Sequence, residues 1–544
     1  MDLEPPILSS RQGFYSPFGV LSVLFVAITT YFALDTLSTR KIVRQKLRHV
    51  PLGGPAFPGP KSILNLIFAW KAKSLLQDSY TKFKTRAFQL IRSDGGVVVL
   101  PLSLLEELAT IPAATASPQG ALEHDLLGRY TGLDLIIENR LHHAIVQRKL
   151  TPRIPLLIPT MEKGVATAFD AFLPQSEDWM EFQPYQVLGR ISARVAAEPI
   201  VGPIFSDNPV WLDVAFDYTE NLFKTIVVLR SLPNWMQPLV YPLLPSYWNG
   251  KKNLNMAKQL LGPQIHEYIQ KSNAGEWEPK DNKAEDLNIL SWLSAMAKGR
   301  DRSPDVIAHV LVLVALASVH TTLLRMVNVL YDITAAGPAL RDELLAEITA
   351  TGGEDGAGWA KTKTKNPYGE LHRLDSVLRE SQRISPPTTL GMKRLFNEDY
   401  TFADGTHIPK GTYVCLPIHA IENDAAHTPD PERFDGLRSF RARQEEEKLL
   451  AGTGSRAANA VDEFLFSTPT RTGLNFGYGK TACPGRFFAS VVIKMVLVKM
   501  LTEYEFKFMP GTGRPENYMV HEFLFTLPWQ KMMVRRRSDG VALF

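Results

Sequence analysis

From Gln12 to Leu34 the chain runs for 23 residues without a charge, and Phe18–Leu34 reads FGVLSVLFVAITTYFAL. A helix that crosses a bilayer needs about 20 mostly apolar residues, so Phe14–Leu34 is long enough. Arg40, Lys41, Arg44, Lys46 and Arg48 follow with no acid among them. The positive-inside bias then puts the bulk of the chain on the cytoplasmic side, in a single-pass arrangement. A cleaved secretory signal fits poorly, because the charge follows the apolar run and no small-residue cleavage site comes after it. Residues 51–60, PLGGPAFPGP, cannot be helix, since proline lacks the amide donor and clashes with the preceding turn. The expected organisation is an anchor at 1–35, a basic and Pro/Gly-rich hinge at 36–60, and a body at 61–544.

Composition limits that body. Hydrophobic residues are 45% and charged residues 21%, an ordinary globular balance that excludes a disordered tail, a collagen and a multi-spanning membrane protein. The net charge is +4, and the five basic residues of the hinge exceed it, so no nucleic-acid partner is expected. Only two cysteines occur, Cys415 and Cys483, which excludes a disulfide framework and any cysteine-rich zinc or iron–sulfur site.

Apolar residues recur at helical spacing in 62–91, 101–110, 160–173, 286–298, 304–334 and 369–384. Alternation at 96–100, 412–416 and 522–527 predicts short strands, and 351–368 and 442–462 read as loops. The fold class is therefore mainly α, an α+β body of helices with small sheets. Ser303-Pro304-Asp305 is a helix start, and the apolar run after it lasts until Gly337-Pro338. Apolar on nearly every face, it predicts a core helix; His309, His320, Arg325 and Asn328 make a second span costly.

Cys483 stands in Phe476-Gly-Tyr-Gly479-Lys480-Thr481-Ala-Cys483-Pro-Gly485-Arg486, directly before a helical segment. Glycines permit a tight loop whose amides point at a thiolate, and a helix N-terminus favours its charge. Such a thiolate serves as a nucleophile or as an axial metal ligand. No base lies nearby in sequence for the first role, and zinc needs more ligands of its kind. Heme iron takes a single axial thiolate. Cys415, in the strand-like Thr412–Leu416, reads as a buried structural thiol.

Phe476-x-x-Gly479-x-x-x-Cys483-x-Gly485 resembles the heme-binding loop of cytochrome P-450 monooxygenases. Three further motifs come in the family's order: Ala317-Ser-Val-His320-Thr321-Thr322, Glu380-Ser-Gln-Arg383, and Pro431-Glu-Arg433-Phe434. The resemblance covers essentially residues 51–544. It implies the cytochrome P-450 fold around heme b (iron protoporphyrin IX), with Cys483 as axial iron ligand and Phe476 packed beside the heme. It implies Thr321 beside bound oxygen, and Glu380, Arg383 and Arg433 as a structural charged triad. His320 replaces the usual acid before that threonine and is either a proton relay or a packing residue. Thr481 stands where Arg or His usually pairs with a heme propionate, so Lys480, Arg148 and Arg394 are the candidates there, with Gly479 in the loop.

The implied activity is oxidation of a bulky hydrophobic small molecule with O2 and electrons from NADPH. These pass through a separate NADPH-cytochrome P-450 reductase, with cytochrome b5 as a further donor, at the endoplasmic reticulum membrane. Leu313, Leu316, Ala317 and residues 385–390 are the expected pocket wall. The ACPGRFFA and ASVHTT stretches resemble filamentous-fungal enzymes of secondary metabolism acting on terpenoid or indole-diterpenoid skeletons. The alternatives are a reductase-independent isomerase or dehydratase of the same fold, disfavoured by Thr321, and a non-catalytic heme-binding membrane protein.

Overall fold

In the computed structural model, residues 17–43, 47–54, 59–92, 95–138, 140–352, 366–453 and 461–544 are described. The main helices are α1 (Pro17–Lys41), α2 (Lys61–Lys82), α3 (Pro118–Asp125), α4 (Thr151–Phe172), α5 (Pro184–Val201), α6 (Pro209–Ser231) and α7 (Pro245–Asn273). They continue with α8 (Pro304–Ala336), α9 (His372–Ile384), α10 (Arg438–Thr453) and α11 (Arg486–Glu503). The strands used below are β1 (Phe88–Arg92), β2 (Gly95–Val99), β3 (Ala116–Ser117), β4 (Met180–Phe182), β5 (Gly391–Phe396), β6 (Tyr413–Leu416), β7 (Tyr504–Phe508) and β8 (Met532–Arg536).

The molecule is built around α8. Pro304 opens it and Gly337, at φ +87°, closes it in a conformation that a side chain would strain. Ser303 occupies the cap position, but its hydroxyl makes no capping bond. Helices α5, α6, α7, α9 and α11 surround it. Val310, Leu311, Val319, Leu323, Met326, Val327 and Val329 are all fully buried. Each such side chain contributes roughly 1.5–3 kcal/mol relative to exposure. Length and hydropathy alone would pass α8 as a membrane span, yet 67% of its most apolar window is buried inside the protein. In α1 the most apolar stretch is only 6% buried, so this helix is long and apolar enough to cross a membrane and keeps that surface outward.

A five-stranded sheet runs β1-β2-β6-β5-β3, with β2 and β6 parallel and the other neighbours antiparallel. A second sheet is β4-β8-β7. The helix expected over 62–91 stops at Lys82, and its last residues form β1, because the pairing partner lies in β2. The loop expected at 442–462 is largely the end of α10. Residues 353–365, most of the other expected loop, lie outside the described residues, as do Arg44, Lys46 and residues 55–58 of the hinge.

The boundary expected at residue 35 falls inside α1, which runs on to Lys41. Asp35 Oδ2 accepts from the Ser62 amide at 2.8 Å and from its hydroxyl at 2.6 Å, fastening α1 to the start of α2. The hinge is strapped to the sheet: Gly53 N–H donates to Gln89 O and Gln89 N–H to Pro51 O, both at 2.8 Å.

Candidate active site

A cavity of about 440 Å3 lies between α8 and the loop that carries Cys483. The loop obtains its shape from two left-handed glycines, Gly477 at φ +77° and Gly479 at φ +59°. A Cβ on Gly477 would stand 2.9 Å from Thr481 O, too close for any side chain. Gly485 has an ordinary backbone conformation, and a Cβ there would face the Cys483 thiol at 4.0 Å. Cys483 N–H donates to Phe476 O at 2.7 Å, which closes the loop. The cysteine is crowded by protein yet exposed, because its thiol opens on the cavity rather than on bulk water. Burial pushes that thiol up, while backbone N–H groups of Gly485 and Arg486 and the Arg486 guanidinium favour the thiolate. Phe476 lines the same cavity and meets Phe466 edge to face, with ring centroids 5.1 Å apart.

On α8, Leu313, Ala317 and Thr321 reach the cavity, and Thr321 Oγ1 donates to Ala317 O at 2.6 Å. Leu316 is not in the wall. Ser385 and Pro387 from the expected 385–390 segment are. Thr322 lines it as well, and its hydroxyl lies 2.6 Å from that of Ser192 on α5. His320 does not line the cavity. It is buried, stacked on Phe216 of α6, and neither ring nitrogen has a hydrogen-bond partner among the described residues. Burial, with the Lys224 charge behind it, pulls His320 down to about 3, so the ring is neutral at ordinary pH. Of the two roles open to His320, this placement supports packing and not the relay, because helical spacing turns the ring toward α5 and α6.

The anion-binding candidates divide. Arg394 of β5 is buried and donates to Thr481 Oγ1 at 3.0 Å, so it reaches the cysteine loop. Burial pulls its guanidinium down to about 10. Lys480 and Arg148 are both exposed and outside the cavity wall. For Arg148 the reason is local: Val146–Leu150 is a π-helical turn, whose extra residue rotates the face that an α-helix would present. His142 and His143, one turn earlier, line the cavity instead. His142 Nδ1 is buried without a hydrogen-bond partner among the described residues, and burial followed by the charges of His143 and Arg140 pulls the ring down to about 4. The histidine pair was visible in the sequence; which of its neighbours faced inward was not. The sequence also gave no sign of Arg325, Asn328, Gln382 and Asn475 in the wall, because they converge from separate segments.

Behind the loop, Arg383 clasps Glu380 through two bonds of 2.7 and 2.9 Å and donates to Pro431 O at 2.6 Å. The third member is Arg438, with Nε 3.4 Å from Glu380 Oε2. Arg433 is exposed, and toward Arg383 and Arg438 it presents its backbone carbonyl. The expected triad is thereby corrected to Glu380, Arg383 and Arg438. Cys415 is fully buried in β6, and burial pushes its thiol up to about 12, an inert packing group.

An apolar cavity with one thiol opening into it, the unpartnered His142 nitrogen and a tight glycine loop suits a flat macrocycle held by a single axial sulfur. These features define a heme-thiolate fold. The family model for cytochrome P450 matches residues 138–534. Cytochrome P450 monooxygenase AN1598 of Emericella nidulans is 34% identical over 98% of this chain and 94% of its own. Ent-kaurene oxidase of Gibberella intermedia is 32% identical over 95% and 93%, and cytochrome P450 monooxygenase paxP of Penicillium paxilli is 32% identical over 94% of each chain. The solved retinoic acid bound cyanobacterial CYP120A1 superposes with a TM-score of 0.59 at 18% identity, covering 87% of this chain and 96% of that one. The chain belongs to the cytochrome P450 family and is a heme-binding monooxygenase.

Proposed function

We propose that the chain is a single-pass enzyme of the endoplasmic reticulum membrane, with residues 1–35 as its anchor and 61–544 forming a cytoplasmic heme domain. It oxidises a bulky apolar molecule of terpenoid or indole-diterpenoid type, as in fungal secondary metabolism. Electrons come from NADPH through a separate reductase, with cytochrome b5 as a further donor. The observation that carries this reading is the Cys483 thiol opening into a cavity of about 440 Å3 whose walls are mostly apolar. Names of relatives such as ent-kaurene oxidase and paxP support the substrate class.

Cys483 would hold the heme through its sulfur, and the bound group would supply the activation of dioxygen. The protein's own residues do the rest. Gly485 and Arg486 amides stabilise the sulfur charge. Thr321 holds a proton on Oγ1, which it now gives to Ala317 O and can present to the cavity by rotating. Leu313, Ala317, Leu122 and Leu524 orient an apolar substrate and keep water out. His142 and His143 in the cavity wall, with Arg394 behind the cysteine loop, would hold the carboxylate arms of the heme. Lys480, exposed beside the loop, belongs to the face that receives the reductase. The test is a reduced, carbon-monoxide-bound spectrum of the full chain, followed by turnover with NADPH and reductase on terpenoid substrates. A red-shifted Soret band and reductase-dependent product are expected. Absence of the band overturns the ligand assignment; turnover without reductase overturns the monooxygenase route.

A further inference from the structure

A second cavity, of about 350 Å3, lies on the far side of α3 from the active-site cavity. The two share that helix as a wall: Leu122 faces the first, Glu123 and His124 the second. Its character is different. Arg92, Arg129 and Arg230 line it, and Glu123 is the only carboxylate among its described lining residues.

Arg230 is the informative group. It ends α6 and is buried. Its Nη2 is held by both oxygens of the buried Glu522, at 3.1 and 3.0 Å. Its Nη1 is buried and has no hydrogen-bond partner among the described residues. Leaving a buried guanidinium N–H unmade is costly, which points to an acceptor that the protein itself does not supply. The group cannot swing away. Glu522 also lies within 3.2 Å of Lys393 and 3.8 Å of Arg92, while Asp125 takes Lys393 at 2.6 Å and the Tyr413 hydroxyl at 2.6 Å. The backbone around Arg230 is fixed too: its carbonyl accepts from Asn65 Nδ2 at 2.8 Å, and Gln237 Nε2 donates to Leu229 O at 3.1 Å. At the rim, Arg129 is exposed.

The surroundings say where a ligand would come from. Asn234 and Gln237 line the cavity and flank Trp235, an exposed ring that meets Tyr31 of α1 edge-on at 6.1 Å. Asn65, also in the lining, shares α2 with the exposed Ile63, Leu66 and Trp70. The arginine-lined cavity therefore sits beside the bilayer-facing surface, where charged heads and apolar bodies separate.

We infer that this cavity is a binding site for the oxyanion head, carboxylate or phosphate, of an amphiphile that arrives from the membrane, with Arg230 and Arg129 as its recognition groups. The head has two sources: a phospholipid of the bilayer, or an organic acid on its way to the active-site cavity across α3.

The test uses the full-length holoprotein in phosphatidylcholine nanodiscs. Dodecyl phosphate, dodecanoate and dodecanol are titrated, and binding is read from the melting temperature and by calorimetry. At least one anionic amphiphile should bind at least tenfold more tightly than dodecanol, and the preference should weaken with salt. Arg129→Ala, at an exposed position, and Arg230→Gln should each lose tenfold or more of it. Doping the discs with phosphatidic acid separates the sources: competition with dodecanoate marks the lipid head, and undiminished dodecanoate binding marks the acid. Equal binding of all three amphiphiles overturns the site. So does an unchanged preference in Arg129→Ala, which keeps the test decisive if Arg230→Gln fails to fold.

Discussion

The imidazole of His320 stacks on the ring of Phe216 with centroids 4.9 Å apart and planes 27° apart. The next residue, Thr321, lines the cavity and donates its hydroxyl proton to Ala317 O. One step along α8 thus separates a packing residue from a candidate proton donor. Replacing His320 by Leu should leave reductase-coupled product formation within about twofold and cost no more than about 1 kcal/mol of stability, since two unpartnered buried nitrogens disappear with the ring. Thr321→Val should instead lower product formed per NADPH consumed by roughly tenfold or more, in the range of a lost proton-transfer group. Parallel stoichiometry of the two variants checks this; a large loss in His320→Leu would restore the relay role.

Arg438 and Arg433 provide a paired control. Arg438 contacts Glu380, a carboxylate 3% exposed, so Arg438→Ala should destabilise the domain by about 1–3 kcal/mol, less than for a fully buried pair because its own side chain is 22% exposed. Arg433→Ala should stay within about 0.5 kcal/mol. Urea denaturation of the two variants distinguishes them.

Glu422 is buried beneath the cysteine loop and hydrogen-bonded by Asn475 Nδ2 at 2.6 Å. Burial pushes its carboxyl up to about 7, against the opposing pull of Arg379 and Arg383. Between pH 4.5 and 7 the folded chain then holds more protons at this site than the unfolded chain. Its contribution to stability is therefore greatest in acid and falls as pH rises through that window, by about 3 kcal/mol in total. Glu422→Gln should remove this slope, matching the parent near pH 5 and exceeding it at pH 8. Melting temperatures of both proteins across pH 5–8 decide the matter; parallel curves would show that Glu422 does not titrate there.

The two cysteines should separate cleanly. Cys483→Ser should abolish the red-shifted Soret band and turnover, whereas Cys415→Ser should keep both. The second change leaves a hydroxyl in a fully buried strand, at a cost of about 1–3 kcal/mol, which thermal melts would register.

Much of the site was legible because its signals are local. Gly477 and Gly479 announce a loop that only left-handed residues close, and Pro304 and Gly337 mark the ends of α8 within one sequence window. The misread positions are those where a neighbour distant in sequence decides orientation. Arg433 and Arg438 are five residues apart in one basic segment, and the turn beneath Glu380 selects the second. Arg148 has the right spacing for an α-helix, but Val146–Leu150 is a π-turn. The arginine-lined cavity draws on residues from 65 to 238, and no window of sequence joins them.

By itself, then, the sequence determined that a long uncharged run precedes a helical body, and that one cysteine stands in a glycine-shaped loop at a helix start. Backbone preference and hydrophobic run length act over a few residues, so they can be read directly from the chain. Which side chains look into the cavities, which arginine meets Glu380, and why Arg230 keeps an unpaired donor were decided only by tertiary structure. Those outcomes depend on burial and on charges brought together across hundreds of residues, and burial exists only once the chain has packed.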